Sequence, residues 1–460
     1  MAISAAGVGS GLDVSGIISQ LMAVERQPLT RIESQQSSYQ SKLSAFGLLK
    51  SAMSKLQDAA ATLAKPGTFS ATAASAGDTK AFTVSSTSSA QTGSYNVEVS
   101  ALARTQRVAT SATAEPAVGE GSLTISLGRY AEDGSFTPAE DGEKTISLAA
   151  GATLADLRKA INAADAGVSA QIVNNGTVNQ LVISSKETGA ANAFRLSGDG
   201  ALAGFGFDAG NPSGSSLTSV QQAQDARLTI DGLAITRSTN TVTDAIEGVT
   251  LKLAKLTDEE TAVTVTRDDT VATKAIDDFV KAYNELNTLI RSQTSYNAET
   301  KKAGTLNGDS GVRSIQNQIR GVFSNPLSGL SGATTLSQIG ITFKTDGSIS
   351  VDSTKLTEAL ADPAKKVGEL FRGNGTVEGF AKTLESRIKS MLDTDGLLSA
   401  RTEGISRSIK ALDDRKETME LRLARIEARY SAQFTALDAA MSSMSTTSAY
   451  LTRQLASLSA

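Results

Sequence analysis

Apolar residues near the start of the chain repeat with the spacing of a helix. In GLDVSGIISQLMAVERQPL, residues 11–29, Asp13 can cap that helix, and Leu12 can pack on Ile17 as a hydrophobic staple. Pro28 is expected to kink the helix or restart it. The apolar stripe of this helix comprises Ile17, Ile18, Leu21, Met22 and Val24. Because most chain ends fray, a capped apolar helix at this place predicts that another surface covers it.

Residues 29–64 predict one long helix with a narrow apolar seam. Polar residues (Gln36, Lys50 and Gln57) stand at the weak positions of the repeat. The apolar positions are Leu29, Ile32, Tyr39, Leu43, Phe46, Met53, Ala60 and Leu63. A three-four spacing of this kind is typical of a coiled coil. Its partner is either a helix of the same chain or a helix of another chain.

After residue 67 the pattern changes to short alternating runs rich in Ser, Thr and Gly, which predict β-strands. Asp231-Gly232 predicts a tight hairpin within residues 228–236. The segment 145–185 predicts a strand, a helix from Thr153 to about Ala164, and two more strands. Further strands are expected at 82–86, 94–100, 248–253 and 261–267.

Helical periodicity returns at residue 271. The motif NGDSG, residues 307–311, predicts a capped turn that begins a second helix, since it lacks the alternating carboxylates and closing Glu of a cation loop. A hairpin is expected at 341–352, with Asp346-Gly347 in its tight turn. This part of the chain therefore predicts helices around a small hairpin.

The last sixty residues carry a heptad repeat. One seam position is occupied by Leu423, Tyr430, Leu437, Met444, Leu451 and Leu458. The second position is occupied by Leu412, Met419 and Ile426, and after Tyr430 by Phe434, Met441 and Leu455. The two four-residue steps that meet at Tyr430 form a stutter, which predicts two segments facing different partners. From Ser431 onward only Asp438 and Arg453 are charged, so we expect both chain ends to pair with each other and other chains to complete their surface.

Composition removes several classes of function. The chain has 44 basic and 48 acidic residues and no Cys, Trp or His. Disulfides, thiolate nucleophiles and Zn–Cys sites are excluded, as are the commonest general base and metal ligand. We expect no cofactor, no metal, no nucleic-acid partner and no membrane partner, because basic residues lack interleaved aromatics and no apolar run approaches the ~20 residues that span a bilayer. A cleaved signal peptide is not expected either.

Two local motifs also predict no site. The glycines of GVGSG, residues 7–11, have no preceding strand and no following Lys-Ser/Thr, so a phosphate site is disfavoured. The acidic groups Asp268-Asp269 and Asp258-Glu259-Glu260 predict solvated loop charge, because neighbours in a strand point to opposite faces.

The sequence thus predicts an α+β multidomain chain in which long coiled-coil-like terminal helices form a leg and a two-part β-rich head is inserted between them. The predicted divisions are terminal helical segments at 1–40 and 431–460, a helical leg domain at 41–75 and 271–430, an inner head domain at 76–108 and 224–270, and an outer head domain at 109–223.

The motif GLDVSGIISQLMAVERQPLTRIE (11–33), the unit at 145–185 and the C-terminal heptad helix together resemble the flagellar hook-associated protein 2 family of filament caps. The unit at 145–185 is similar to a motif shared by flagellins and hook-associated proteins. The resemblance covers the whole chain and is weakest in the middle region.

The resemblance implies export through the flagellar type III channel and an extracellular place at the distal filament tip. It implies a ring of four to six copies, beneath which exported flagellin folds and adds to the filament without ATP or a cofactor. It also implies an export chaperone and hook-filament junction proteins as partners, and terminal helices that order only within the assembly.

Three classes of function are distinguished: a filament cap, a surface adhesin whose head binds host mucin or glycan, and an enzyme. The first two are compatible, and we expect no enzymatic activity because no carboxylate pair is marked. The candidate contact residues are those of the helical seams: Leu12, Ile17, Leu21, Met22, Leu29, Ile32, Leu423, Tyr430, Phe434, Leu437, Met441, Met444, Leu451, Leu455 and Leu458.

Overall fold

The structure, a computed structural model, describes residues 13–458 and the side chains of residues 13–455. The chain divides into two compact units. The helical unit combines the residues up to Thr68 with those from Ala272 onward, and the β-rich unit is Phe69–Val271. The predicted fold class, an α+β chain with long terminal helices and a β-rich segment inserted in sequence between them, is confirmed.

Most of the α-helices belong to the helical unit. In chain order they are α1 Val14–Glu25, α2 Gln27–Ala64, α3 Pro66–Phe69, α4 Leu154–Ala163, α5 Asp269–Thr294, α6 Ser310–Gly321, α7 Ser353–Ala361, α8 Val367–Arg372, α9 Phe380–Leu392 and α10 Leu397–Leu458. Short 3-10 segments occur at Ala190–Asn192, Gly200–Phe205, Pro212–Gly214, Leu336–Ile339 and Pro363–Lys365.

Most of the strands belong to the β-rich unit. They are β1 Thr72–Ala76, β2 Phe82–Ser86, β3 Gly93–Ala101, β4 Arg107–Ala109, β5 Gly121–Tyr130, β6 Phe136–Leu148, β7 Val168–Asn174, β8 Asn179–Ser185, β9 Ala193–Gly198, β10 Thr218–Gln221, β11 Ala226–Ile230, β12 Leu233–Arg237, β13 Thr241–Ile246, β14 Val249–Leu253, β15 Thr261–Arg267, β16 Tyr296–Asn297, β17 Lys302–Ala303, β18 Ile341–Phe343 and β19 Ile349–Val351.

The predicted restart at Pro28 is confirmed. Helix α1 ends before Arg26, whose amide donates to the carbonyl of Met22 at 2.9 Å. Pro28 lies in the first turn of α2, where its missing N–H is not needed for a helical hydrogen bond.

The buried face of α2 differs from the predicted seam in the second half of the helix. Lys50 is exposed, and the buried positions around it are Leu49 and Leu56, which are 1% and 0% exposed. The prediction that position 50 lies in the seam is therefore wrong, whereas Gln57 is half-buried. Its physical reason is that this half of α2 packs against α8 and α9 in a multi-helix core, which selects a wider apolar face than a two-helix seam does.

The capped turn at 307–311 is confirmed. The Asp309 carboxylate accepts from the amides of Gly311 and Val312 and caps α6. Its other oxygen is 2.6 Å from an Arg401 guanidinium nitrogen at the start of α10, and the Asp309 side chain is almost completely buried. Asp309 therefore ties two helices together, and its oxygens already have partners.

The hairpin of β18 and β19 forms where predicted, but its connection is longer than a two-residue turn. The amide of Lys344 donates to Ser348 and that of Gly347 donates to Lys344, which gives a three-residue loop with Gly347 at a φ of +80°. Asn284 of α5 both donates to and accepts from the backbone of Ile349 at 2.8 Å. This paired bond fixes the hairpin on the helix.

One part of the β-rich unit contains two antiparallel sheets, with strand orders β1-β15-β3-β11-β12 and β13-β14-β2. Their shared apolar cluster draws on residues 81–103 and 226–265. The predicted strands at 82–86 and 94–100 are present, but they lie in different sheets. At the β11–β12 turn, Asp231 and Gly232 have φ values of +49° and +78°, as the predicted tight hairpin requires.

The other part contains sheets with strand orders β10-β4-β8-β7 and β6-β5-β9, together with α4. Thr153 and Asp156 form a capping box at the start of α4, so the predicted strand-helix-strand-strand unit at 145–185 is confirmed. A second apolar cluster runs from Val108 to Leu217. The two clusters lie in different parts of the β-rich unit, and the division into inner and outer head domains stays a prediction.

Candidate assembly surface

Helix α1 begins at a side-chain cap. The Asp13 carboxylate accepts from the Gly16 amide and from the Ser15 hydroxyl, both at 2.9 Å. These hydrogen bonds hold the pKa of Asp13 below its usual value, the Gly16 amide contributing most. Val14 and Met22 are buried within the helical unit. Ile17 and Ile18 are half-buried beside them, so these four residues form the inner face of α1. Leu21 and Val24 are exposed, and their predicted place in the covered stripe is wrong.

That inner face packs on α10, with its end at Tyr430. The Tyr430 hydroxyl donates to a Glu25 carboxylate oxygen at 3.2 Å. An Arg26 guanidinium nitrogen is 3.9 Å from a carboxylate oxygen of Glu427, in an exposed ion pair. The expected pairing between the two ends of the chain is therefore present, and it continues past Tyr430, where Phe434, Asp438 and Ser442 are half-buried.

The first half of α2 also packs on α10, through polar contacts around a half-buried seam. The Lys416 ammonium is 3.1 Å from a Glu33 carboxylate oxygen, and this contact raises the pKa of Lys416. One turn further along α2, the Gln36 amide donates to the Asp413 carboxylate. These contacts fix the register of two antiparallel helices.

Beyond Tyr430, most apolar seam residues of α10 are exposed, although Phe434 stays half-buried. The half-buried positions continue at four-residue steps through Phe434, Asp438 and Ser442. The other apolar residues of this stretch are exposed by 40–73%: Leu437, Met441, Met444, Tyr450, Leu451 and Leu455. On a straight helix, residues spaced by four and residues spaced by seven drift around the axis in opposite directions. After the stutter the intrachain contact follows the four-residue steps, so the residues at seven-residue steps become exposed.

The structure places the predicted contact residues in four groups. Met22 and Leu423 are buried. The half-buried residues are Ile17, Leu29, Ile32, Tyr430 and Phe434. The exposed ones are Leu21, Leu437, Met441, Met444, Leu451 and Leu455. Leu12 and the side chain of Leu458 lie outside the described residues, and so does the predicted staple between Leu12 and Ile17.

Other chemistry is sparse in the part of the chain that the structure describes. Residues 13–458 contain no cluster of three or more acidic side chains placed to hold a metal ion. None of the helices described is both long and apolar enough to cross a bilayer. Asp258, Glu259 and Glu260 are exposed in a loop, as the sequence predicts. The prediction of solvated loop charge is wrong for Asp269, which is half-buried at the start of α5 and pairs with Arg267 at 2.6 Å. The exposed apolar row of α10 is thus the principal candidate surface.

Acidification is expected to loosen the first turn of α1. A carboxyl whose pKa is lower in the folded chain stabilises the fold above its unfolded pKa of 3.8, and the contribution is lost as pH falls through the folded pKa. The Gly16 amide chemical shift should therefore titrate at a pH below 3.8 in the native chain. An Asp13→Asn variant should lack this titration, and an unchanged titration in that variant would contradict the role of the cap.

An apolar helix row that is buried along one stretch and exposed along the next is typical of a protein that assembles with other chains. Comparison with protein families agrees with this class. The family model described as the flagellar hook-associated protein 2 N-terminus matches residues 10–106, and that of its C-terminus matches residues 223–446. The flagellin hook IN motif matches residues 123–187, around the unit predicted at 145–185.

Relatives match over nearly the whole chain. Flagellar hook-associated protein 2 of Escherichia coli K12 is 40% identical, with 98% of each chain covered. The Salmonella typhimurium protein of the same name is 36% identical, with 99% of each covered. The crystal structure of the flagellar cap protein FliD D1-D2-D3 domains from Escherichia coli has a TM-score of 0.67 and 38% identity, and the match covers 79% of this chain and 99% of that one. The chain belongs to the flagellar hook-associated protein 2 family.

Proposed function

We propose that this chain caps the distal end of the bacterial flagellar filament as a ring of four to six copies and promotes the insertion of exported flagellin. The single observation that carries the proposal is the open apolar row of α10, from Leu437 to Leu455, on a chain of this family. Contiguous exposed apolar surface usually marks an interaction site.

The row is suited to a reversible contact. Its flanking positions are mostly Ser, Thr and Ala, and Asp438 and Arg453 are the charged residues from Ser431 onward. A helix of this composition gains most of its stability from packing. The predicted ordering of residues 1–40 and 431–460 on assembly follows the same reasoning, since segments that order on binding bind less tightly per unit area.

Flagellin is the proposed partner of the open row at the filament end. The match to the flagellin hook IN motif supports a relation between the β-rich unit and flagellin-like subunits. Export through the flagellar type III channel, an export chaperone and contacts with hook-filament junction proteins belong to the same proposal. Capping by structural contacts requires no catalytic group.

The adhesin alternative, with host mucin or glycan as the ligand of the head, stays a prediction. The flagellar relatives span the whole chain and favour the cap as the primary function.

The proposal is tested by the position of the chain on native filaments. Gold-labelled antibody against this chain should bind only the distal end of each filament in electron micrographs. A chain truncated after Ser442 keeps the half-buried positions Phe434, Asp438 and Ser442 but lacks Met444, Leu451 and Leu455 of the open row, so it should be secreted and absent from the tips. Label along the filament shaft, or tip label with the truncated chain, would contradict the proposal.

A further inference from the structure

Charged residues on the paired helices α2 and α10 are separated by sign. At ~100° per residue, Arg415, Arg422 and Arg429 fall on one side of α10, while Glu417, Glu420 and Glu427 fall on the opposite side. All six are exposed. The face of α10 that packs on its own chain lies between the two rows.

Helix α2 extends both rows. Lys42 lines a groove together with Arg415, on the side where Tyr39 approaches α10. Arg31 falls on the same side of α2 as Lys42. Glu33 lies on the other side, where it meets Lys416. We define the basic flank as Arg31, Lys42, Arg415, Arg422 and Arg429, and the acidic flank as Glu33, Asp413, Glu417, Glu420 and Glu427.

The basic flank is not neutralised by the described part of its own chain. None of its five residues forms an ion pair with a residue in the range 13–455. The Arg429 guanidinium lies 5.4 Å from the centre of the Tyr430 ring, and Lys42 is 5.6 Å from that of Tyr39. Cation–π contacts of this kind orient the charges without cancelling them.

The acidic flank is only partly neutralised. Glu417 makes no ion pair with a described residue, and the contacts of Glu420 with Lys416 and of Glu427 with Arg26 are 3.9 Å long. Exposed pairs at this distance contribute little and exchange easily. Both flanks can therefore accept a partner of opposite charge.

We propose that neighbouring copies of this chain meet in the ring along these flanks, the basic flank of one copy against the acidic flank of the next. This inference rests on the proposed function, in which the chain forms a ring. In a closed ring, every interface joins one surface of a copy to a different surface of the next copy. The copies are related by rotation about the ring axis, so equivalent residues lie at the same level along that axis.

The order of the charges fits that arrangement. Arg415 stands two residues from Glu417, Arg422 two residues from Glu420, and Arg429 two residues from Glu427. Two residues correspond to ~3 Å along a helix axis, a distance that Arg and Glu side chains span easily. Parallel copies related by rotation thus bring three pairs of opposite charges together without any shift along the helix axis.

Charge reversal on one flank tests the pairing. Arg415→Glu with Arg422→Glu, and separately Glu417→Arg with Glu420→Arg, should each weaken self-association of the full chain about tenfold, because two attractive contacts become repulsive. Combining all four substitutions exchanges the flanks and should restore association. Sedimentation velocity over a range of concentrations measures the effect, and raising the salt concentration should weaken the native oligomer.

The control for the first variant is Arg407→Glu with Arg425→Glu, which changes net charge equally at exposed positions that share a side of α10 outside both flanks. It should associate like the native chain. Native association in the reversed variants would overturn the proposal, and so would failure of the fourfold exchange to restore it. Loss of binding to purified flagellin filaments with self-association intact would instead assign the basic flank to flagellin, which also overturns the proposal.

A second measurement uses the assembled cap. The chain has no cysteine, so Glu420→Cys with Arg422→Cys introduces the only two thiols, on opposite sides of one helix. A short bismaleimide applied to native filaments should join chains into a ladder of covalent multimers. Arg407→Cys with Arg425→Cys, which places both thiols on one side outside the flanks, should give at most dimers. Tip-bound chains that give no ladder would contradict the flank contact while leaving the cap function standing.

Discussion

A chain carrying Leu437→Asp and Met444→Asp is expected to be secreted and folded but unable to support filament growth. Both side chains belong to the open row, and they are 45% and 73% exposed. Burying such a side chain in an interface contributes roughly 1.5–3 kcal/mol, and a buried aspartate adds a further cost. Losing two of them should lower the affinity for the filament end more than ~100-fold.

The fold should survive these substitutions because neither side chain is part of a core. The helix-propensity cost of aspartate is about 0.5 kcal/mol per position, too little to unfold the helical unit. The matched control is Ala439→Asp with Thr446→Asp, two exposed positions with the same seven-residue spacing on another side of α10. Filament length and the flagellin content of the medium measure the outcome. Full-length filaments with the first pair would show that the open row is not the working surface.

Leu56→Ala is expected to destabilise the helical unit by about 2–5 kcal/mol. Leu56 is 0% exposed in the second half of α2, so its removal leaves a cavity among well-packed neighbours. Leu48→Ala changes the same residue type in the same helix, but Leu48 is 56% exposed. That control should shift the unfolding free energy by no more than ~0.5 kcal/mol.

Denaturant unfolding measures both variants, with far-UV circular dichroism reporting mainly on the helical unit. The β-rich unit has its own apolar clusters, so its transition should be unchanged in Leu56→Ala. A joint shift of both transitions would show that the two units unfold together. An equal loss of stability for Leu48→Ala would contradict the assigned burial of α2.

Local sequence signals predicted the elements of this chain well. The Asp13 cap, the restart at Pro28, the capped turn at Asp309 and the Asp231-Gly232 turn depend on a few neighbouring residues, and all are present. Helix caps and tight turns depend on hydrogen bonds and backbone preferences within a few neighbouring residues, so they can be predicted from the local sequence.

The pairing of strands that are far apart in the sequence could not be predicted from local signals. β2 and β3 follow each other in sequence, yet β2 pairs with β14 and β3 lies between β15 and β11. On α2, continuing the heptad repeat predicts position 50 in the packed face, whereas Leu49 is the buried residue in the structure. Both differences arise from tertiary packing, which depends on residues far away in the chain.

The candidate assembly surface could be predicted from the sequence only in part. The stutter at Tyr430 predicted that the two segments of α10 face different partners, and the change from buried Leu423 to exposed Leu437 is its structural counterpart. The separation of charge between the flanks needed the α2–α10 register, which the Glu33–Lys416 contact supplies. Sequence periodicity predicts which residues share a face of each helix, but it does not predict which faces of two helices pack against each other.

The distribution of flagellin in a strain deleted for this chain tests the capping function most directly. We expect flagellin as monomer in the medium, few or no filaments, and restoration of filaments by the full-length chain but not by a chain lacking residues 431–460. Normal filaments in the deletion strain, with no excess flagellin in the medium, would contradict the cap function.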